Sequence, residues 1–336
     1  MTLQNRLQDF PQECLIIQPI HAAGLDCLSR AGLRLRHAAA TDPASLAREA
    51  ENCVAVITRN AGFPAAAVAA ASHLRVIGVH GTGVDPVAVP EATAAGIAVV
   101  NTPGANARSV AEHAIGLMFA LAKSLPAADR ATRAGNFDFK YEARLIELHG
   151  RTLGLIGFGH VGQATARLAV GLGMRVLAYG PSRSDAEFAA APATRADSIA
   201  AVLEQADVVS LHLPLTGRTR GIIGTDELAR MKPDAFLINT SRGGLIDEPA
   251  LVAALEAGTI AGAGLDVFAS ETMPADHPLL RQQRAILTPH VAGSTEACLA
   301  RTAEAVANQI VDVLAGRRPA SLVNPAVWAH RRLPKG

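Results

Sequence analysis

The chain has 336 residues, with 31 Lys plus Arg against 30 Asp plus Glu and a formal net charge of +1. Hydrophobic residues make up 49% and charged residues 18%, the balance of a folded chain long enough for two cores and not of a disordered one. No basic excess exists to hold a phosphate backbone, so no nucleic-acid partner is expected. The best apolar run, residues 114–122, is far shorter than the ~20 residues a bilayer span needs. Residues 1–10 are polar and carry acids, unlike a secretory signal, so a cytoplasmic protein without membrane contact is expected. The four cysteines (Cys14, Cys27, Cys53 and Cys298) follow no metal-ligand spacing. They read as reduced structural thiols, and no metal site is expected.

Strand-like apolar runs alternate with helical stretches along the chain, which predicts α/β architecture with parallel sheets. The first series has strands at 14–20 (CLIIQPI), 54–58, 74–79 and 97–100, with a short helix at 24–31. The turn cluster Asn101-Thr102-Pro103-Gly104 comes next, then an apolar helix over 109–123. A helix hydrophobic on most faces must be covered on most sides, which suggests a subunit interface. A second series has strands at 153–157, 175–179, 207–213, 235–239, 264–268 and 286–288. Between the first two of these, Val161, Ala164, Leu168 and Leu172 recur at helical spacing. A last helix over 296–314 ends at Gly316. The stretch after residue 288 is too short for a third domain, so the tail is expected to return to the first. The reading is two doubly wound, Rossmann-like parallel-sheet domains, one discontinuous (1–105 with 294–336) and one continuous (106–293).

Gly157-Phe158-Gly159-His160-Val161-Gly162 fits G-x-G-x-x-G directly after a buried strand and before an amphipathic helix. The first glycine permits the tight turn, the second lets a pyrophosphate approach the backbone, and the third lets helix and strand pack. Free N–H groups and the helix dipole then hold the phosphate charge. A bare packing turn is the bland alternative. The fingerprint normally carries an acid about 20 residues on, where it holds the ribose 2′-OH. Here Gly180 occupies that position, followed by Ser182, Arg183 and Ser184. Without the acid nothing repels a 2′-phosphate, and NAD(P)(H) with a lean toward NADP(H) is expected.

Three later segments each come just after a strand. Asn239-Thr240-Ser241-Arg242-Gly243-Gly244 sets an arginine among glycines, Leu265-Asp266-Val267-Phe268 leads into Glu271, and Thr288-Pro289-His290-Val291 offers a histidine. Singly they could be a surface arginine, a solvated acid and a helix-cap histidine. Together, behind a dinucleotide loop, they meet the needs of hydride transfer to a 2-keto acid. A cation holds the carboxylate and polarises the carbonyl, a proton donor meets the developing alkoxide, and an acid keeps that donor charged.

These motifs resemble the D-isomer-specific 2-hydroxyacid dehydrogenases over nearly the whole chain. Gly81-Thr82-Gly83-Val84-Asp85 resembles the family's substrate loop, residues 101–106 its domain crossover, Ser109-Val110-Ala111-Glu112 the start of its long helix, and His212-Leu213-Pro214-Leu215-Thr216 the strand end beside its cofactor. The resemblance implies a substrate-binding first domain and an NAD(P)-binding second one, with a homodimer built on the long helix. It implies that Arg242 binds substrate, His290 is the acid/base and Glu271 pairs with it. Leu213, Pro214, Thr240 and Asp266 would lie at the cofactor, Asp266 facing the carboxamide. His80, Gly81, Thr82 and Gly83 would bind the substrate carboxylate, and Arg59 an anionic tail of the substrate. A small 2-keto or 2-hydroxy acid of the hydroxypyruvate/glyoxylate or 3-phosphoglycerate type is the expected substrate. Two rivals are a formate dehydrogenase-like enzyme, which carries glutamine in place of Glu271, and an NAD-sensing corepressor-like binding protein.

Overall fold

The computed structural model describes residues 12–270 and 272–333, and these divide into two compact units, Met1–Asn106 with Thr295–Gly336 and Ala107–Ser294. The first unit opens with β1 (Glu13–Ile16), α1 (Ala22–Arg30), β2 (Arg34–His37), α2 (Pro43–Ala50) and β3 (Cys53–Thr58). It continues through α3 (Ala65–Ala70), β4 (Val76–Val79), α4 (Val89–Ala94) and β5 (Ala98–Val100). Its five parallel strands lie in the order β2-β1-β3-β4-β5.

The second unit begins with α5 (Ala107–Ala122), α6 (Leu125–Arg133), α7 (Phe139–Glu142), β6 (Thr152–Ile156), α8 (His160–Gly171) and β7 (Arg175–Tyr179). Next come α9 (Asp185–Ala190), β8 (Thr194–Arg195), α10 (Ile199–Gln205), β9 (Val208–Leu211) and α11 (Thr225–Arg230). It closes with β10 (Phe236–Asn239), α12 (Glu248–Ala257), β11 (Gly262–Leu265) and β12 (Ala285–Leu287). Its seven parallel strands run β12-β11-β10-β9-β6-β7-β8. The last helix, α13 (Glu296–Leu314), lies in the first unit and packs on α1 and β4.

Both sheets are covered on two faces, which is why their central strands are unbroken apolar runs. Neighbouring residues of one strand enter opposite cores: Leu155 and Ile156, Val208 and Val209, and Phe236 and Leu237 each split between two clusters. The helices are bounded by local chemistry. Asp247 accepts from the Ala250 N–H at the start of α12, and Gly258 ends it at φ +69°. Thr295 caps α13 by accepting from the Cys298 N–H.

Several expected boundaries shift for physical reasons. The first strand stops at Ile16 and does not reach residue 20, because Pro19 has no N–H to give a ladder. The strand expected at 264–268 runs at Gly262–Leu265 instead. Its glycines admit close neighbours: a Cβ on Gly262 would fall 2.8 Å from the Arg284 carbonyl oxygen, and one on Gly264 would lie 3.0 Å from Leu117 Cβ of α5.

The apolar helix α5 is covered largely within its own unit, by α8, β10 and β11. Its apolar faces therefore do not by themselves require a second subunit. Large exposed apolar side chains come after it instead: Leu125, Phe137, Tyr141 and Leu145. All four cysteines carry free thiols. Among the described residues no helix is long and apolar enough to cross a membrane.

Candidate active site

Register places the candidate residues of the second unit in one line. Tyr179 pairs with Ile156, Ile156 with Leu211, Leu211 with Asn239, Asn239 with Leu265, and Leu265 with Leu287. These are the last residues of β7, β6, β9, β10, β11 and β12. Gly180, Gly157, His212, Thr240, Asp266 and Thr288 are therefore the next residues out, along the carboxyl edge where open α/β sheets bind ligands. The strand order reverses at β6 between β7 and β9.

Gly157 leaves β6 at φ +102°, and a Cβ there would fall 2.4 Å from the His212 carbonyl oxygen. A Cβ on Gly162 would meet the Gly157 carbonyl oxygen at 2.4 Å, so helix and turn touch backbone to backbone. Around Gly159 there is open space, which leaves that stretch of backbone approachable. His160, exposed, opens α8, and Val161 is partly buried. Leu213 is partly buried and Pro214 exposed. The Thr240 hydroxyl oxygen is buried without a hydrogen-bond partner among the described residues. An open glycine at a helix start and an orphaned hydroxyl on the same edge fit a dinucleotide. Behind the turn, burial pushes the His212 imidazole down to about 4, and it sits 3.0 Å from the Ser210 hydroxyl.

Gly180 has no room for an acid as the chain stands, since a Cβ would lie 2.6 Å from Phe158 Cβ. Phe158 stacks on Phe188 with ring centroids 4.4 Å apart. Ser182 and Arg183 come next, and the Arg183 guanidinium meets the Glu187 carboxylate at 3.1 Å. The Ser184 backbone amide and then Arg183 hold that carboxyl down, to about 2.

Arg242 leaves β10 in extended conformation and donates to the Ser241 carbonyl at 2.7 Å. Buried Asn239 shapes this turn, accepting from the Ser241 N–H and donating to the Arg242 carbonyl. Gly243 is then a necessity, because a Cβ there would lie 1.9 Å from the Phe268 carbonyl carbon. Asn239 was present in the sequence run, but only the structure shows what it holds.

His290 is a non-glycine residue in the left-handed region, at φ +55°. Asp266 fixes it there. The Asp266 carbonyl accepts the His290 N–H at 2.9 Å, and its fully buried carboxylate accepts from Thr288 Oγ1 (2.6 Å), Val291 N (2.9 Å) and Ala292 N (2.9 Å). Asp266 thus holds the histidine loop, a task that the resemblance did not suggest. Glu271 lies outside the described residues.

The first unit gathers its own group. Its sheet order reverses at β1 and β3, and Gln18 just past β1 accepts through Oε1 from the N–H groups of Arg59 and Ala61 just past β3. The half-buried Arg59 donates to the Pro19 carbonyl at 3.1 Å. His80 comes directly after β4, 9% exposed, with Nε2 unpartnered among the described residues. Burial, and after it the charge of Arg59, pushes its imidazole down to about 4. Gly81 sits at φ +149° in open space, with Thr82 exposed and Gly83 partly buried beyond it.

Residues 115–292 match the family described as D-isomer specific 2-hydroxyacid dehydrogenase, NAD binding domain. The chain is 41% identical to a glyoxylate reductase of Korarchaeum cryptofilum over 77% of its own length and 78% of that protein's. It is 37% identical to a D-3-phosphoglycerate dehydrogenase of Archaeoglobus fulgidus over 92% of its length, but spans only 59% of that protein. Among solved structures, an NADPH-dependent glyoxylate/hydroxypyruvate reductase from Sinorhizobium meliloti, in complex with NADP and malonate, superposes with a TM-score of 0.84 at 28% identity. The match covers 96% of this chain and 99% of that one.

Asp266→Asn is expected to lower stability. Every contact of the carboxylate is with a donor, so the amide N–H₂ must face another donor, and an unsatisfied buried group costs about 1–3 kcal/mol. Urea unfolding of the two proteins measures it. An unchanged midpoint at unchanged m would show that the carboxylate does not hold the loop.

Proposed function

The chain belongs to the D-isomer-specific 2-hydroxyacid dehydrogenase family, and from that premise we propose that it interconverts a small D-2-hydroxy acid and its 2-keto acid. The substrates best suited are of the hydroxypyruvate/glyoxylate type or the 3-phosphoglycerate type. The observation that supports this reading is the single line of strand ends from which the dinucleotide loop, Arg242 and the His290 loop all emerge.

The Gly157–Gly162 turn, Ser182, Arg183, Leu213, Pro214 and Thr240 hold a nicotinamide cofactor, which when bound supplies or accepts the hydride. Arg242 pairs with the substrate carboxylate and polarises the 2-keto oxygen, a two-pronged contact that lysine cannot reproduce. His290 gives its proton to the alkoxide oxygen that develops at C2 in reduction and takes it back in oxidation. Glu271 favours the charged imidazole. In the first unit, the N–H groups of His80 and Gly81 are bonded to the Thr58 and Val79 carbonyls, so those of Thr82 and Gly83 serve the carboxylate, and Arg59 an anionic tail.

His290→Ala is expected to lower kcat by about 10²–10⁴, the usual worth of a general acid, while cofactor affinity stays. Reduction of glyoxylate, hydroxypyruvate and phosphohydroxypyruvate, followed by nicotinamide absorbance, measures it. A variant that turns over like wild type would remove His290 from the chemistry.

NADPH is expected to serve at least as well as NADH. Gly180 offers no carboxylate to repel a 2′-phosphate, and Phe158 blocks the space an acid would need. Arg183 exchanges Glu187 for the phosphate, and a hydrogen bond to a charged group is worth about 1.5–3 kcal/mol before solvent screening. The measurement is kcat/KM with both cofactors for wild type and Arg183→Ala. A tenfold preference for NADH, or an Arg183→Ala ratio equal to wild type, overturns the assignment.

A homodimer is the proposed assembly, with the exposed Leu125, Phe137, Tyr141 and Leu145 as the surface that gains from burial. Sedimentation should give about twice the 34.8 kDa chain mass at micromolar concentration. A single species at the chain mass would refute it.

A further inference from the structure

Two polar side chains of α5, one turn apart, reach the loop that carries His290. Ser109 Oγ donates to the Ala292 carbonyl at 2.6 Å, and His113 Nε2 lies 3.0 Å from Thr288 Oγ1. Residues i and i+4 share a helix face, so both contacts come from one side of α5. They grip the loop at both ends, before and after His290.

The proton positions in this network can be counted out. Thr288 Oγ1 has a single hydrogen and lies 2.6 Å from Asp266 Oδ1. An ionised carboxyl can only accept, and Asp266 already accepts from the Val291 and Ala292 N–H groups. The hydroxyl hydrogen therefore points to Asp266, and the hydroxyl oxygen can only accept from His113. His113 carries a hydrogen on Nε2 and donates it to Thr288, with Asp266 Oδ1 3.5 Å behind. The chain of donation runs from His113 to Thr288 to Asp266, and Asp266 receives the backbone of residues 290–292.

We propose that His113 is a positioning residue for His290, acting through Thr288 and Asp266. This rests on His290 being the proton donor. Removing the His113 donor leaves the Thr288 oxygen unpaired, lets the hydroxyl turn away from Asp266, and frees the carboxylate that holds the loop. His113 faces Thr288 and Asp266, so the loss is expected to fall on the chemical step. Misplacing a reacting group by an ångström costs about 10²-fold, and orienting partners are typically worth 10- to 100-fold.

The test compares His113→Phe, which keeps the ring shape without a donor, with His113→Gln, whose amide nitrogen can take the place of Nε2. His113→Phe should lower kcat about 10- to 100-fold with KM for the keto acid and Kd for the cofactor within about twofold. His113→Gln should recover kcat to within about threefold of wild type. In a His290→Ala background, His113→Phe should cost nothing further, because a residue acting through another has no effect once that other is gone. Thr288→Val, which deletes the link itself, should match His113→Phe and stands in for it if the latter folds poorly. Full kcat in His113→Phe or Thr288→Val, an equal loss in His113→Gln, or an undiminished effect in the His290→Ala background overturns the proposal. Full kcat in His290→Ala alone instead overturns the proton-donor reading beneath it.

Discussion

Everything chemical in the second unit depends on parallel register. Parallel strands all leave the sheet at the same edge, and hydrogen bonding fixes which residue of each strand is last beside its neighbour. Here one row, Tyr179, Ile156, Leu211, Asn239, Leu265 and Leu287, terminates six strands together. The row is sealed by bonds that carry the ladder one step further, such as Gly157 N to Tyr179 O, His212 N to Ile156 O and Asp266 N to Asn239 O. A slip of one residue would move a loop by about 3.3 Å and turn its side chains to the other face. The buried strands forbid that slip, since each residue's face is committed to one of two cores.

On that edge the costliest feature is the buried carboxylate of Asp266. Taking an ion out of water costs several kcal/mol, which hydrogen bonds at about 1.5–3 kcal/mol each to a charged group can offset. Asp266 has such donors in Thr288, Val291 and Ala292. A hydrophobe of similar size would fill the space, yet it could not direct three separate points of the following loop. What the acid contributes is the path of residues 288–292, including the left-handed turn at His290, a conformation that costs a non-glycine residue about 1–3 kcal/mol. The loop keeps a strained residue because the bonds on either side of it leave no alternative.

The same division separates what the sequence disclosed from what it hid. Strands β3, β9 and β10, as continuous apolar runs, were legible, as were the glycines of the dinucleotide turn, because both signals are local. The edge strands β2 and β8 escaped notice. β2 buries none of its four residues and β8 exposes both of its own, so neither has an apolar run to read. Gly180 was legible as a missing acid, but not as a residue with Phe158 against it. Helix α5 looked like an interface because it is apolar on most faces, and it is the sheet and α8 of its own unit that cover it. Ser109 and Thr288 stood in runs read for other reasons, and His113 gave no signal at all. Their contacts join residues 183 and 175 apart, and a serine and a histidine on one helix form no motif with a distant loop until the fold brings them together.

Four histidines that look alike in the sequence are separated by these surroundings. Burial holds His212 neutral, and it bonds to Ser210 beneath the dinucleotide turn. His80 is also held neutral, by burial and by the charge of Arg59, so at neutral pH that group carries the guanidinium charge without a second one beside it. His113 is set by hydrogen bonding: the hydroxyl it faces has already given its hydrogen to Asp266, which leaves the imidazole to donate. His290 stands past a strand end on a partly exposed loop, with its backbone fixed by Asp266. A proton donor must reach both substrate and water across each turnover, while an imidazole that shapes a turn must not change charge at all. Burial imposes the second condition on His212, and burial with the charge of Arg59 imposes it on His80, which leaves the first to His290 in the role proposed for it.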